Sequence, residues 1–180
     1  MKNLVFIGMR GAGKSTVGQK VAQKLGRKFF DSDAEIEKFA GKKIAEIFEK
    51  NGEKKFRELE KKIIKKLSRE KNAVIATGGG AILDAKNVEN LRKNGILIFL
   101  NAPIEVLQKR IFGDKNRPSL TGKNPADELA EIWKKRQKKY FAAADFEIFD
   151  DGKILEKEKN TEKIAEKIVA NFAKIWRSFL

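Results

Sequence analysis

Residues 8–15 match a pattern that binds nucleotide phosphates, G-x-x-x-x-G-K-S/T. The apolar run at residues 4–7 predicts a buried strand before the pattern, and the apolar spacing after Lys14 predicts a helix. In this context the loop N–H groups and the positive end of the helix dipole are directed at one point. Lys14 can place a mobile charge on the outer phosphates, and the Ser15 hydroxyl can bind Mg²⁺. A glycine turn that only starts a helix is the alternative.

Two carboxylates, Asp31 and Asp33, lie at the end of a second predicted strand, residues 28–31. Ligands of a parallel α/β sheet bind outside the carboxyl ends of its strands, so both side chains can face one crevice. One carboxylate can help to hold Mg²⁺, and the other can accept a proton from a substrate hydroxyl. The structural alternative makes Asp33 the N-cap of the next helix and Asp31 a turn residue.

Three adjacent glycines, 78–80, follow a third predicted strand at residues 73–76. Because adjacent glycines are costly to order, we expect a backbone that must approach another group closely. If this loop lies beside the phosphate loop, its N–H groups can meet a second substrate. An ordinary loose turn is the alternative.

Two arginines have a partner one helical turn away: Arg57 precedes Glu60, and Arg136 precedes Tyr140. Each pair taken alone is typical of a helix surface. Two arginines that converge on one site would suit a carboxylate, because the guanidinium fork binds a carboxylate through two hydrogen bonds.

The longest polar, turn-rich stretch, residues 113–124, predicts a mobile loop, and two further arginines lie just before it and within it. Arg117 within it can close over a transferring phosphate as an arginine finger, and closure would exclude water. Arg110, at the end of the preceding predicted helix, can stack on a base. Either side chain alone is more often a solvated arginine.

Alternating strand and helix patterns predict an α/β fold with a mostly parallel sheet and a single domain over residues 1–180. The predicted strands are residues 4–7, 28–31, 73–76, 96–100 and 146–149. The predicted helices are residues 14–25, 33–40, a short helix around 44–48, 53–70, 84–93, 103–112, 125–143 and 161–179, with Asp33 and Thr161 as N-caps.

The composition restricts the chemistry and the partners. The chain has no histidine and no cysteine, which excludes imidazole and thiolate catalysis. Its net charge of +15 admits a nucleic-acid partner, but a solvated lysine-rich surface is the favoured explanation, and we expect no nucleic acid. With no membrane span and no signal peptide, we expect a cytoplasmic protein that does not bind membranes. We also expect a monomer.

In combination, these motifs resemble those of the shikimate kinase family over nearly the whole chain. The phosphate loop alone identifies only a nucleotide binder, whereas its ordered combination with the other elements is far more specific. The matching stretches are Gly-Met-Arg-Gly-Ala-Gly-Lys-Ser-Thr-Val-Gly at 8–18, Phe-Phe-Asp-Ser-Asp at 29–33, Phe-Arg-Glu-Leu-Glu at 56–60, Ala-Thr-Gly-Gly-Gly at 76–80, Arg110 with Arg117-Pro118, and Arg136 with Tyr140.

The resemblance implies ATP-dependent phosphorylation of the 3-hydroxyl of shikimate, in aromatic amino-acid biosynthesis. It implies a P-loop kinase fold, a three-layer sandwich with a five-stranded parallel sheet flanked by helices. It further implies a substrate-binding region at about residues 33–62 and a mobile lid at about residues 112–124. The adenine contacts around residues 151–160 cannot be assigned by residue.

The resemblance also implies residue roles. The catalytic residues would be Asp33, Lys14 and Arg117. ATP would be held by Gly11, Ala12, Gly13, Lys14, Ser15, Thr16, Arg110 and Arg117. Shikimate would be bound by Asp33, Arg57, Gly79, Gly80 and Arg136. Mg²⁺ would be held by Ser15 and Asp31.

Two other readings remain open from the sequence. One is a related small-molecule kinase that acts on gluconate or a nucleoside monophosphate. The other is a non-catalytic nucleotide-binding regulatory protein, because a fold does not fix a function.

Overall fold

The structure is a computed structural model that describes residues 1–112, 127–153 and 156–177. Five strands form one sheet: β1 (Asn3–Ile7), β2 (Lys28–Asp31), β3 (Ala73–Ala76), β4 (Gly95–Asn101) and β5 (Phe146–Phe149). Seven α-helices lie within the described ranges: α1 (Lys14–Leu25), α2 (Ser32–Ala40), α3 (Ile44–Leu67), α4 (Ala85–Asn94), α5 (Ile104–Ile111), α6 (Leu129–Ala143) and α7 (Lys157–Arg177).

The sheet is parallel throughout, with the strand order β2-β3-β1-β4-β5. All residues of β1 and β3 are buried, as are all residues of β4 except the last. Strands that are buried on both faces need helices on both faces, and this explains their continuous apolar runs. The predicted α/β fold with a parallel five-stranded sheet is therefore confirmed.

The strand order brings the predicted chemistry to one edge of the sheet. Because β1 lies between β3 and β4, the phosphate loop after β1 is adjacent to the glycines after β3. Asp31 ends β2, which pairs with β3 through Asp31 and Ala76. The carboxyl ends of parallel strands meet at one edge, so these segments surround a common crevice.

Several predicted helix boundaries are wrong by a few residues. The N-cap of α2 is Asp31 rather than Asp33, and its carboxylate accepts hydrogen bonds from the N–H groups of Asp33 and Ala34. Helix α7 begins at Lys157, one turn before the predicted cap at Thr161. The predicted break between two helices near residue 52 is present: Gly52 has φ 75° and ψ 172°, which are not helical values, so α3 consists of two helical segments that meet there.

One short element was not predicted from the sequence. A single 3₁₀ turn, Ala81–Leu83, follows the three glycines, where the sequence indicated only a loop. Within residues 1–112, 127–153 and 156–177, no helix has the length and apolar character needed to span a membrane.

Candidate active site

The phosphate loop has the backbone that its glycines predict. Gly13, the N-cap of α1, has φ 83°, a left-handed conformation that favours glycine. Lys14 is buried, and its ammonium group donates to the carbonyl oxygens of Gly8 and Met9 at 2.9 and 2.8 Å. The lysine charge is therefore held on the loop itself, at the start of a helix, where phosphate oxygens are favoured.

Ser15 and Asp31 form a pair of hard oxygen ligands beside this loop. The Ser15 hydroxyl donates to Asp31 Oδ2 at 2.5 Å, while Asp31 Oδ1 accepts from the N–H of Asp33 at 2.9 Å. Oxygen atoms of this type suit Mg²⁺, which uses few protein ligands and retains water or phosphate in its other positions. Among the described residues, no group of three or more histidine, cysteine or acidic side chains could hold a metal by itself.

The glycine loop after β3 lies directly against two of the predicted site residues. A Cβ at Gly78 would lie 2.5 Å from Asp33 Oδ1, and a Cβ at Gly80 would lie 2.4 Å from a terminal nitrogen of Arg57. No real Cβ makes contacts this short, so any larger residue would displace these side chains. The close backbone approach that the sequence predicted is therefore an approach to Asp33 and Arg57.

Arg57 is held by two carboxylates on its own helix. It donates to Glu53 at 3.0 Å and to Glu60 at 2.8 Å. Glu60 is buried, and its burial raises the pKa of the carboxyl group, although the nearby charge of Arg57 acts in the opposite direction. Its second oxygen has no hydrogen-bond partner among the described residues. Arg136 makes no ion pair in the described ranges, so its charge remains available to an anion.

Two cavities meet beside the phosphate loop. The first, of about 390 Å³, is lined by Asp33, Arg57, Arg136, Gly79 and Gly80. It also has an apolar side formed by Phe48 and Phe56, whose ring centroids are 4.8 Å apart. The second cavity, of about 420 Å³, is lined by the phosphate loop and Arg110. The residues that line both cavities are Arg10, Ser15, Asp31, Asp33 and Gly79.

Asp150 lines the second cavity and binds three of its neighbours there. It accepts a hydrogen bond from Arg110 at 2.6 Å, from the Asn160 side chain at 2.8 Å, and from the Gly152 N–H at 3.0 Å. Burial alone would raise the pKa of Asp150, but these hydrogen bonds outweigh it and lower the pKa below the ordinary value of 3.8. Arg110 is therefore held in place in the lining of this cavity.

The structure thus brings together every predicted site residue that it describes. Asp33, Arg57 and Arg136 line one cavity, and the phosphate-loop residues line the adjoining one. Arg117 and nearly all of the predicted lid lie outside the described residues. The sequence prediction missed the roles of Asp150 and Asn160, because it placed adenine contacts around residues 151–160 without assigning them to particular side chains.

A parallel sheet whose first strand enters a phosphate loop, beside a second cavity with an acidic and cationic lining, defines the class of P-loop kinases. Within that class, the model of the family "Shikimate kinase" matches residues 10–173. Because this match covers most of the chain, the chain belongs to the shikimate kinase family.

Similarities to individual proteins support this assignment to the family. A shikimate kinase of Caldanaerobacter subterraneus is 43% identical, over 97% of this chain and 98% of its own. One of Persephonella marina is 45% identical, over 85% of this chain and 92% of its own. Among solved structures, shikimate kinase from Acinetobacter baumannii in complex with shikimate has a TM-score of 0.88 at 39% identity, over 97% of this chain and 94% of its own. A gluconokinase from Sinorhizobium meliloti, at 15% identity and a TM-score of 0.51, shares the fold alone.

Asp150→Asn tests the network at the nucleotide end. Loss of the buried charge should lower the free energy of unfolding at pH 7 by about 2 kcal/mol and weaken ADP binding about tenfold. Because the folded pKa is lowered, the stability that Asp150 contributes is fully present above pH 3.8 and is lost as the pH falls through the folded pKa. The difference between the variant and the unsubstituted protein should therefore shrink in acid.

Asp151→Asn is the matched control, because among the described residues its exposed carboxylate forms its hydrogen bond and ion pair with neighbouring Lys153. Chemical denaturation over a pH series and calorimetric titration with ADP measure both effects. Equal losses in the two variants would show that Asp150 has no special position.

Proposed function

We propose that this chain transfers the terminal phosphoryl group of ATP to the 3-hydroxyl of shikimate, giving shikimate 3-phosphate and ADP, in aromatic amino-acid biosynthesis. The observation that best supports this proposal is that Ser15, Asp31 and Asp33 line both cavities. An acceptor in the first cavity and a nucleotide in the second would meet at these side chains.

The first cavity suits a hydroxylated cyclic acid. Its two guanidinium groups, on Arg57 and Arg136, can bind a carboxylate, and the Gly80 N–H is a further donor. Phe48 and Phe56 offer an apolar surface to a carbon ring. Asp33 lies across the glycine loop from Arg57, where it can accept hydrogen bonds from ring hydroxyl groups.

Asp33 is proposed as the general base. The acceptor oxygen would form a bond to the terminal phosphorus, the bond from that phosphorus to the bridging oxygen of ADP would break, and the hydroxyl proton would pass to Asp33. The loop N–H groups and Lys14 would stabilise charge on the phosphates, where it develops during transfer. Arg117 is proposed to add a further positive charge there. Arg110 would lie beside the adenine.

Ser15 and Asp31 would hold Mg²⁺, since their oxygens are adjacent at the boundary of the two cavities. When bound, the ion would neutralise negative charge on the phosphates. Asp31 also caps α2 through its other carboxylate oxygen.

The remaining proposals concern the chain as a whole. Residues 1–180 would act as one domain, with a substrate-binding region at about 33–62 and a lid at about 112–124. We further propose a monomer in the cytoplasm that needs no nucleic-acid partner.

Asp33→Asn tests the proposed function. The unsubstituted protein should release ADP from ATP only when shikimate is present, and gluconate should not replace shikimate. The amide keeps the shape of the side chain but cannot take up the proton, so kcat should fall by about 10²–10⁴-fold while ADP affinity stays unchanged. A coupled assay of ADP release measures kcat, and calorimetry measures the affinity.

Asp84→Asn serves as the control, because Asp84 caps α4 and pairs with Lys61 away from both cavities. It should keep normal turnover. Shikimate-independent ADP release would refute the proposed acceptor, and near-normal turnover in Asp33→Asn would remove Asp33 from the mechanism.

Gly80→Ala tests the acid-binding end. The new methyl group would occupy the position of the Arg57 guanidinium, so the KM for shikimate should rise about tenfold or more, with little change in the KM for ATP. Gly26→Ala is a suitable control: it places a methyl group on a left-handed glycine in open space and should cost only stability. An unchanged KM for shikimate in Gly80→Ala would mean that Arg57 does not bind the acid.

A further inference from the structure

Tyr140 is a buried residue whose hydroxyl reaches the glycine loop. Its side chain has no exposed surface, and its ring stacks on Phe99 with centroids 5.2 Å apart and planes 3° apart. The hydroxyl donates to the carbonyl oxygen of Gly79 at 2.5 Å. The ring thus fixes where the hydroxyl lies, and the hydroxyl fixes where this carbonyl points.

The direction of the Gly79 carbonyl determines the direction of the next N–H. The Gly79–Gly80 peptide is trans, and in a trans peptide the C=O and N–H bonds point in opposite directions. A carbonyl that is turned toward α6 therefore turns the Gly80 N–H away from α6. Within the described ranges, the N–H groups of Gly79 and Gly80 have no hydrogen-bond acceptor, so both remain available to a ligand in the cavity that these glycines line.

Arg136 lies one turn earlier on α6, and its charge acts on the same hydroxyl. Burial raises the pKa of Tyr140 to about 12, although the positive charge of Arg136 acts in the opposite direction. The hydroxyl therefore keeps its proton at working pH and can donate it to the Gly79 carbonyl. Tyr140 thus fixes the peptide whose N–H is one of the groups proposed to bind the carboxylate.

We propose that Tyr140 is a positioning residue for the acceptor: it turns the Gly80 N–H toward the carboxylate of the bound acid. Tyr140 itself need not touch the acid, because it does not line the cavity. This inference rests on the proposed function and adds a residue to it.

Tyr140→Phe tests the inference, because phenylalanine keeps the stacked ring and removes only the hydroxyl. The affinity for shikimate, measured by calorimetric titration, should fall about tenfold, and the KM for ATP should stay within twofold. The pH profile of kcat should be unchanged, since the hydroxyl transfers no proton to the substrate. An analogue in which a hydroxymethyl group replaces the carboxylate should bind the variant and the unsubstituted protein equally.

Ser68→Ala is the matched control, since it also removes one largely buried hydroxyl. This hydroxyl donates to the Lys65 carbonyl oxygen at the end of α3, and Ser68 lines neither cavity. It should lower thermal stability without changing shikimate affinity. Unchanged shikimate affinity in Tyr140→Phe, or an equal loss for shikimate and its uncharged analogue, would overturn the inference while leaving the proposed function in place. If the unsubstituted protein neither binds shikimate nor releases ADP with it, the proposed function itself fails.

Discussion

The site depends on one constraint: two of the three consecutive glycines after β3, Gly78 and Gly80, must remain without side chains because other groups occupy that space. Asp33 lies against Gly78, and Arg57 lies against Gly80. The hydroxyl of Tyr140 binds the carbonyl of the middle glycine, which also packs against the backbone of the phosphate loop at Arg10. Side chains from α2, α3 and α6 are thus held at fixed positions by a backbone that directly follows the sheet.

This arrangement explains how charges of both signs can lie close together in a partly buried site. Glu60 holds Arg57, and the fully buried Glu128 holds Arg10 through an ion pair of 3.1 Å. Removing one partner of such a pair leaves a buried charge uncompensated, which is costly. The carboxylates therefore fix the arginines in place, and Arg136, which has no such partner in the described ranges, remains for the ligand.

Local sequence patterns were sufficient to predict the strands and most of the residues that line the site. Continuous apolar runs predict strands buried on both faces, and all five predicted strands are present with ends that shift by at most one residue. Motifs that act through their own backbone, such as the phosphate loop, could also be predicted, because the groups that bind the ligand belong to adjacent residues.

Interactions between distant residues could not be read in this way. Asp31 and Asp33 are equally good N-caps by type, and only the path of the chain out of β2 makes Asp31 the cap. Asp150 binds Arg110, which lies 40 residues away, and Asn160, which lies in the first turn of α7, a helix that begins one turn earlier than the sequence suggests. Tyr140 looked like a helix-surface partner of Arg136, whereas its hydroxyl bonds to a loop that lies 61 residues earlier.

A crystal structure with shikimate and a non-hydrolysable ATP analogue would test the central claim most directly, namely that the glycine loop aligns the acid with the nucleotide. We expect the carboxylate to bind Arg57, Arg136 and the Gly80 N–H, with the 3-hydroxyl hydrogen-bonded to Asp33 and facing the terminal phosphate. An acid bound in the reverse orientation, with its carboxylate toward the phosphate loop, or bound outside this cavity, would contradict the account.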